Sequence, residues 1–245
     1  MCHHASGEIR EYVESAIKAG VKILGFSDHA PMPFDDGYIS GVRMTPSEAE
    51  TYVNTLSKLK DEYKKEIEIH IGFEAEYDPT LFDKMIKLHE ELGAEYLILG
   101  QHFIGREQDR VFGSRESDDV EKMRKYTDQV IAGIETGKYT YVAHPDMLNY
   151  PKDDEHFREQ ATRLCVRAKE LSIPLEYNLL GILGKRHYPT DKFFRIASEI
   201  GNDVIIGRDA HYPDAFLDND SEQKALEALS RLGITPITKL TFRPV

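Results

Sequence analysis

An aspartate and a histidine two residues apart directly follow one of the apolar stretches of the chain. Residues 207–211 read Gly-Arg-Asp-Ala-His, after Val-Ile-Ile at 204–206. Just past the end of a buried strand, the side chains of Asp209 and His211 point the same way and can share one cation. Asp and His are also common in hydrogen-bonded surface loops, so this pair alone is weak evidence. The pattern predicts a metal site only if ligand-type residues recur at equivalent positions.

Such residues do recur where other predicted strands end. Runs at 21–26, 67–73, 96–100 and 139–143 have the composition and alternation of strands. Imidazoles with several carboxylates suit zinc, manganese or iron, and more than one ion. A multi-ion site favours phosphoester hydrolysis, because it activates water at neutral pH and holds both the attacking and the leaving oxygen. The residues that follow these four runs are His29, Glu74, His102 and His144.

Amphipathic helices separate the predicted strands. Apolar residues recur at helical spacing from Ile9 to Ile17, with Ser6 as the expected N-cap, and residues 45–48 form a capping box before a second helix. Strands that alternate with helices indicate a parallel sheet, most economically closed as a barrel. In such barrels the active site lies at the carboxyl ends of the strands. We therefore expect one α/β barrel domain over residues 1–245, with the candidate ligands at one mouth.

Composition narrows the class of protein. The chain has 245 residues, of which 40% are hydrophobic, and this suffices for a sizeable core. Its net charge of −12 argues against nucleic acid or an anionic membrane as the main partner. Only Cys2 and Cys165 occur, and no apolar run approaches the roughly 18 residues of a spanning helix. These features predict a soluble protein of the reducing cytoplasm.

The order of these motifs resembles the polymerase-and-histidinol-phosphatase (PHP) superfamily. The most specific segments are Ser-Asp-His-Ala-Pro at 27–31 and Asp-Ala-His at 209–211, with supporting motifs at 72–75, 101–103 and 143–145. Within the superfamily the chain is most similar to the histidinol-phosphatases of histidine biosynthesis. The resemblance implies a distorted, TIM-like (β/α)7 barrel with two or three divalent ions, zinc, manganese or iron. It also implies a small phosphorylated metabolite, L-histidinol phosphate, as the substrate.

The residue types and the resemblance together predict roles for individual residues. We expect Asp209, His211 and His29 to be catalytic, with Asp209 or a histidine protonating the leaving alkoxide. Arg186 and His187, on a predicted strand-end loop, are candidates for contact with the substrate phosphate, because a guanidinium binds phosphate bidentately. Arg208 is a third candidate, for the phosphate or for a nearby carboxylate such as Glu176. The metal ligands implied by the family pattern are His4, His29, Glu74, His102, His144, Asp209 and His211.

One part of the family pattern is not found in this sequence. The family begins with a strand that ends in His-x-His, both metal ligands, shortly before the position of His4. We therefore expect the first barrel strand to be missing from this chain, as a truncation, a misassigned start or a genuine variant. Its loss would expose edges that the last apolar run, 234–240, or another subunit of a homo-oligomer would have to pair. Cys2 and His3 are then candidates to replace the lost ligands.

Three other functions remain open on this sequence. The chain could be a PHP phosphoesterase for another small phosphate monoester, or a metal-binding protein with little or no turnover. A metal-dependent amidohydrolase would share the barrel and the ligands, but that family usually has a lysine at a strand end, and none is found. Three further histidines are predicted not to be metal ligands: His70, within a strand, as a core residue or as a residue that supports a ligand, and His89 and His156 as solvated helix residues.

Overall fold

Helices and strands alternate along the computed structural model, which describes residues 3–245. No helix in this part of the chain is both long and apolar enough to cross a membrane. The six strands are β1 Ile23–His29, β2 Glu68–Ala75, β3 Tyr96–Leu99, β4 Tyr139–Val142, β5 Leu175–Asn178 and β6 Val204–Gly207. The helices are α1 Ile9–Lys18, α2 Pro46–Tyr63, α3 Phe82–Leu92, α4 Val120–Glu135, α5 Glu155–Glu170, α6 Leu179–Leu183, α7 Asp191–Ile200 and α8 Asn219–Arg231.

The strands form one parallel sheet whose spatial order follows the chain, from β1 to β6. This confirms the predicted α/β class. Within residues 3–245 the sheet curls into a half-barrel, and β1 and β6 do not pair with each other. The predicted closure of the barrel is therefore not formed by the described residues. The last apolar run contributes one isolated parallel bridge, between Ile237 and Ile205 of β6, rather than a strand.

The two predicted helix starts have different outcomes. At α2 the backbone N–H of Glu48 donates to Thr45 Oγ1 at 3.3 Å, and the Glu48 carboxylate accepts from Thr45 N at 2.7 Å. This capping box confirms the prediction from residues 45–48. At α1 the N-cap is Glu8, which forms a capping box with Glu11, so the prediction of Ser6 was wrong. The Glu11 carboxylate accepts from Glu8 N at 2.7 Å and begins the helix two residues later than expected.

Strand alternation in β2 sends one set of side chains to the helices and the other to the inner face of the sheet. Ile69, Ile71 and Phe73 are buried in the main hydrophobic core. On the other face, a Cβ on Gly72 would lie 2.5 Å from the Tyr96 ring, so a glycine here makes room for that ring. Since side chains alternate along a strand, Glu74 lies on this inner face at the carboxyl end.

His89 lies in the core, so its prediction as a solvated residue was wrong. The residue is 0% exposed, and its ring centroid is 4.8 Å from that of Phe73. Its Nδ1 is 2.7 Å from the carbonyl oxygen of Met85. The charged neighbour Glu90 suggested exposure, but the face of α3 that carries Met85 and His89 packs on the sheet. Burial lowers the pKa of His89 to about 4.

We expect His89 to make the free energy of unfolding depend on pH. The unfolded chain binds a proton on this residue near pH 6.5 and the folded chain only near pH 4. Neutral His89 therefore contributes its full stabilisation of the folded state above pH 6.5. This contribution is lost as the pH falls towards 4, because the unfolded chain then binds a proton that the folded chain does not. Linkage gives a loss of about 2 kcal/mol between about pH 7.5 and pH 5. Urea unfolding of the wild type and of His89→Phe at both pH values should differ by this amount, and equal pH dependence would contradict the assignment.

Candidate metal centre

The carboxyl ends of the strands bring the predicted ligands to one edge of the sheet. His29 is the last residue of β1, and Glu74 is the last but one of β2. His102 and His144 follow β3 and β4 within three residues, and Asp209 comes two residues after β6. Because all the strands are parallel, these positions converge. The topology thus places five of the predicted ligands together.

Among residues 3–245, two groups of three side chains have ligand atoms that all lie within 4.8 Å of one another. One group consists of His29, Glu74 and His102, and the other of His4, His29 and His211. His29 belongs to both groups. The groups therefore define two adjacent positions at which nitrogen and oxygen donors could hold a cation.

The carboxylate of Glu74 lies between the imidazoles. Its Oε2 is 3.0 Å from His29 Nδ1 and 4.0 Å from His102 Nε2, and its Oε1 is 2.9 Å from His144 Nε2. A Cβ on Gly100 would overlap this carboxylate, so the glycine after β3 creates the space that it occupies. The two oxygens of this carboxylate are thus directed at different imidazoles, Oε2 at His29 and His102 and Oε1 at His144.

The N-terminal segment carries His4 into the same cluster. Ser6 N donates to the carbonyl oxygen of His211 at 2.9 Å, and Tyr12 of α1 donates its hydroxyl to the carbonyl oxygen of Ser6 at 2.7 Å. The His4 ring centroid lies 4.9 Å from that of His211 and 5.1 Å from that of His29. A backbone hydrogen bond between the segment and the residues after β6 therefore aligns the second group.

Of the two residues suggested as replacement ligands, the structure describes His3. His3 is directed at Glu48, with its Nε2 3.6 Å from Glu48 Oε1. Cys2 lies outside the described residues, so its role as a ligand stays a prediction.

Two of the predicted ligands have a left-handed backbone. His144 has φ of 30° and Asp209 has φ of 48°. For residues other than glycine this conformation costs roughly 1–3 kcal/mol and is concentrated at functional sites. The Asp209 carboxylate accepts from Asn178 Nδ2 at 3.1 Å, and the residue lines the same cavity as His29 and His211. The strained turns after β4 and β6 thus hold these side chains at the inner edge.

The pKa values of the clustered side chains are compatible with binding of a divalent cation. Burial and the neighbouring imidazoles of His29 and His211 lower the pKa of His4 to about 4, so its ring is neutral at pH 7. Although burial opposes ionisation, the imidazoles of His102, His29 and His144 hold the pKa of Glu74 well below its ordinary value. Burial also opposes protonation of His144, but Glu74 outweighs it and raises the His144 pKa to about 9. Protons thus balance the buried carboxylate in the metal-free protein, and an entering cation would displace them.

A cavity of about 400 Å³ lies over the cluster and has room for a small metabolite. Arg186 and His187 form part of its wall. Arg186 Nη1 donates to the hydroxyl of Tyr188 at 2.7 Å, and His187 Nε2 is 2.7 Å from the carbonyl oxygen of Met147. The structure therefore brings both residues to the cavity, and their contact with substrate stays a prediction.

The structure does not bring Arg208 to this cavity wall. Its Nη1 lies 3.3 Å from the carbonyl oxygen of Ala215 and 3.4 Å from that of Asp218, and its Nη2 contacts the Glu222 carboxylate. These acceptors, in the turn after β6 and in α8, already bind both terminal nitrogens of the guanidinium. The suggested contact with Glu176 is not formed: its carboxylate accepts from the backbone N of His144 and from Asn178 instead.

Two buried charged residues at the cavity wall were missed in the sequence. Arg43 is 2% exposed and Glu76 is 6% exposed. The signal for Glu76 was present, because a residue two positions after Glu74 points to the same face of an extended chain. Arg43 lies in a long loop without periodicity, and no local pattern marks it.

A parallel α/β sheet with imidazoles and carboxylates at its carboxyl ends is the arrangement of metal-dependent hydrolases. The family model for the PHP domain matches residues 1–180, and the chain belongs to this family, as the motif order predicted. The chain is 27% identical to the histidinol-phosphatase of Bacillus subtilis over 243 residues, which cover 86% of this chain and 90% of the relative. It is 26% identical to the probable histidinol-phosphatase of Deinococcus radiodurans over 223 residues, covering 87% of this chain and 84% of the relative.

Among solved structures, a similar fold occurs in the histidinol phosphate phosphatase of Lactococcus lactis, determined in complex with Zn, L-histidinol and phosphate. The TM-score is 0.70 at 19% sequence identity, and the match covers 98% of this chain and 93% of that one. This likeness shows a shared fold.

Proposed function

We propose that this protein is a metal-dependent phosphomonoesterase that converts L-histidinol phosphate and water into L-histidinol and phosphate, a step of histidine biosynthesis. The observation that carries the proposal is the pair of ligand groups sharing His29, beneath a cavity whose wall includes Arg186. The choice of substrate is supported by the PHP family and by relatives named histidinol-phosphatase.

We propose that this centre holds two or three divalent ions, zinc, manganese or iron. The fit rests on the donor set, since an ionised carboxylate and imidazoles that give up their protons to an entering cation provide the ligands that such ions bind. Bound ions would supply Lewis acidity towards the phosphate oxygens and lower the pKa of water in the site. The residues proposed to hold them are His4, His29, Glu74, His102, His144, Asp209 and His211.

The remaining chemistry falls to side chains at the cavity. Arg186 would neutralise phosphate oxygens as charge develops in the transition state, with His187 as a further contact. Asp209, held at the mouth by Asn178, is proposed to protonate the leaving alkoxide, with His211 as the alternative acid. His29 completes the proposed catalytic set, because it belongs to both ligand groups.

We propose that the fold is a single domain with a distorted seven-stranded barrel, in which a strand ending in His-x-His would lie between β6 and β1. A cavity of about 660 Å³ separates these two strands and supports the proposal. β3 and β5 are buried along their whole length, whereas Ile23 of β1 is 44% exposed and most of β6 is half-buried. A second subunit of a homo-oligomer is the alternative occupant. A chain that carries the strand should bind more metal than residues 1–245 do, and equal stoichiometry would contradict the proposal.

We propose a small metabolite of the cytoplasm, rather than nucleic acid or a membrane surface, as the partner. The net charge of −12 supports this, because a strongly acidic protein repels polyanions.

The substrate can be tested with a panel of small phosphate monoesters at saturating metal. The proposal predicts the highest kcat/KM for L-histidinol phosphate. A different preferred monoester would keep the phosphatase and reject the substrate, whereas no phosphate release from any compound would favour a metal-binding protein without turnover.

A further inference from the structure

We propose that Arg43 is a positioning residue of the candidate metal centre, whose guanidinium sets the spacing of the three chain segments that follow β1, β2 and β3, next to His29, Glu74 and His102. The inference rests on the proposed metal-binding function of these three residues. Arg43 and its partner Glu76 are not among the proposed ligands.

Each of the three guanidinium nitrogens contacts a different strand-end loop. Arg43 Nη1 donates to the carbonyl oxygen of Ala30, directly after β1, at 3.1 Å. Its Nη2 donates to Glu76 Oε1, directly after β2, at 2.8 Å, and its Nε donates to Glu107 Oε2, in the turn after β3, at 2.7 Å. Each of these loops follows a strand that delivers one member of the ligand group. A single planar group thus links the three chain segments.

The guanidinium does this from within the protein rather than at the substrate. Arg43 is 2% exposed, and Glu76 and Glu107 are 6% and 7% exposed. Since Nη1, Nη2 and Nε all have acceptors in the protein, the group is not directed at a phosphate. A planar guanidinium with donors in three directions can join three loops, which a single ammonium nitrogen cannot do.

Glu76 transmits this constraint to a ligand. Its Oε1, which Arg43 holds, lies 3.4 Å from His102 Nδ1. Its Oε2 accepts from Gln101 Nε2 at 3.1 Å and from Phe103 N at 3.2 Å. The carboxylate is therefore fixed from three sides and faces the nitrogen of His102 that is turned away from Glu74. A carboxylate behind a ligating imidazole orients its ring and raises its basicity.

The loop that carries Arg43 is also attached on its far side. Ser40 Oγ donates to Glu107 Oε1 at 2.5 Å, and the Tyr38 hydroxyl lies 3.4 Å from the same oxygen. Glu107 therefore binds this loop at three side chains. The position of Arg43 is itself determined by the turn after β3.

The test is metal binding without substrate. Zn²⁺ or Mn²⁺ affinity and stoichiometry are measured by competition with a chelator for the wild type, Arg43→Lys and Glu76→Gln. Arg43→Lys keeps the charge but cannot hold three loops, and Glu76→Gln keeps the volume but removes the charge behind His102. We expect each variant to bind one of the metal ions with an affinity about 10–100-fold lower than that of the wild type. The matched control is Arg106→Lys, because Arg106 is half-exposed and pairs with Asp36 at 3.5 Å.

The outcomes separate a positioning role from a general structural one. Unchanged affinity in a folded Arg43→Lys protein, with or without a lower Tm, would overturn the inference. If that variant does not fold, Glu76→Gln decides, since it leaves Arg43 and the packing in place. A wild type that binds no metal would instead contradict the proposed metal centre, and so the two failures are distinguishable.

Discussion

Replacement of His29 with alanine is expected to lower kcat for phosphate release by well over about 100-fold and to reduce the amount of bound metal. The imidazole belongs to both ligand groups, so its loss removes a donor from each. Loss of a partner that only orients a ligand already costs roughly 10–100-fold in metal affinity or activity. Loss of a shared ligand should cost more. Steady-state kinetics with metal analysis of the purified variant measures both effects.

The control is His156→Ala, because His156 lies on the exposed side of α5. It should retain wild-type turnover and metal content. Near-normal turnover in a folded His29→Ala protein would contradict the assignment of the centre.

Replacement of Glu74 with glutamine is the second change with a large expected effect. The amide has almost the same shape but no charge, and it places an N–H₂ donor against one of the imidazoles. Its neighbours His29 and His144 would lose the carboxylate that faces them at 3.0 and 2.9 Å. We expect metal affinity to fall by more than about 100-fold, because a direct ligand is lost in addition to its charge. Competition with a chelator measures the change.

The matched control is Glu68→Gln, the same substitution on the same strand. Glu68 has a side chain that is 61% exposed and pairs with His70 at 2.9 Å, at the opposite end of β2. The Glu68→Gln variant should bind metal with the affinity of the wild type. Equal loss of metal affinity in both variants would show that the loss comes from a disturbance of β2 rather than from removal of a ligand.

Local sequence patterns predicted most of the elements that position the site. Apolar runs and alternation located the strands, and the capping box at Thr45 located the start of α2. The rule that parallel strands gather their carboxyl ends then predicted that Glu74 and His102 would meet, which the structure confirms geometrically. His4 was different, because only the family resemblance pointed to it.

Other features depend on contacts that no local pattern encodes. The burial of His89 follows from packing of α3 on the sheet, although the charged residues Glu90 and Glu91 follow it along the chain. Arg208 precedes the Asp-x-His motif, but its guanidinium binds acceptors 7 to 14 residues further along the chain, in the turn after β6 and in α8. Arg43 binds loops up to 64 residues away, and its role emerges only when the strands are assembled.

The most direct test of the central claim is phosphate release from L-histidinol phosphate while metal-free protein is titrated with Mn²⁺ or Zn²⁺. The account predicts negligible release without metal, a rise that saturates at two or three ions per chain, and a return to baseline with a chelator. Binding of the ions without release would contradict the proposed reaction. Release that is indifferent to metal and chelator would contradict the metal centre itself.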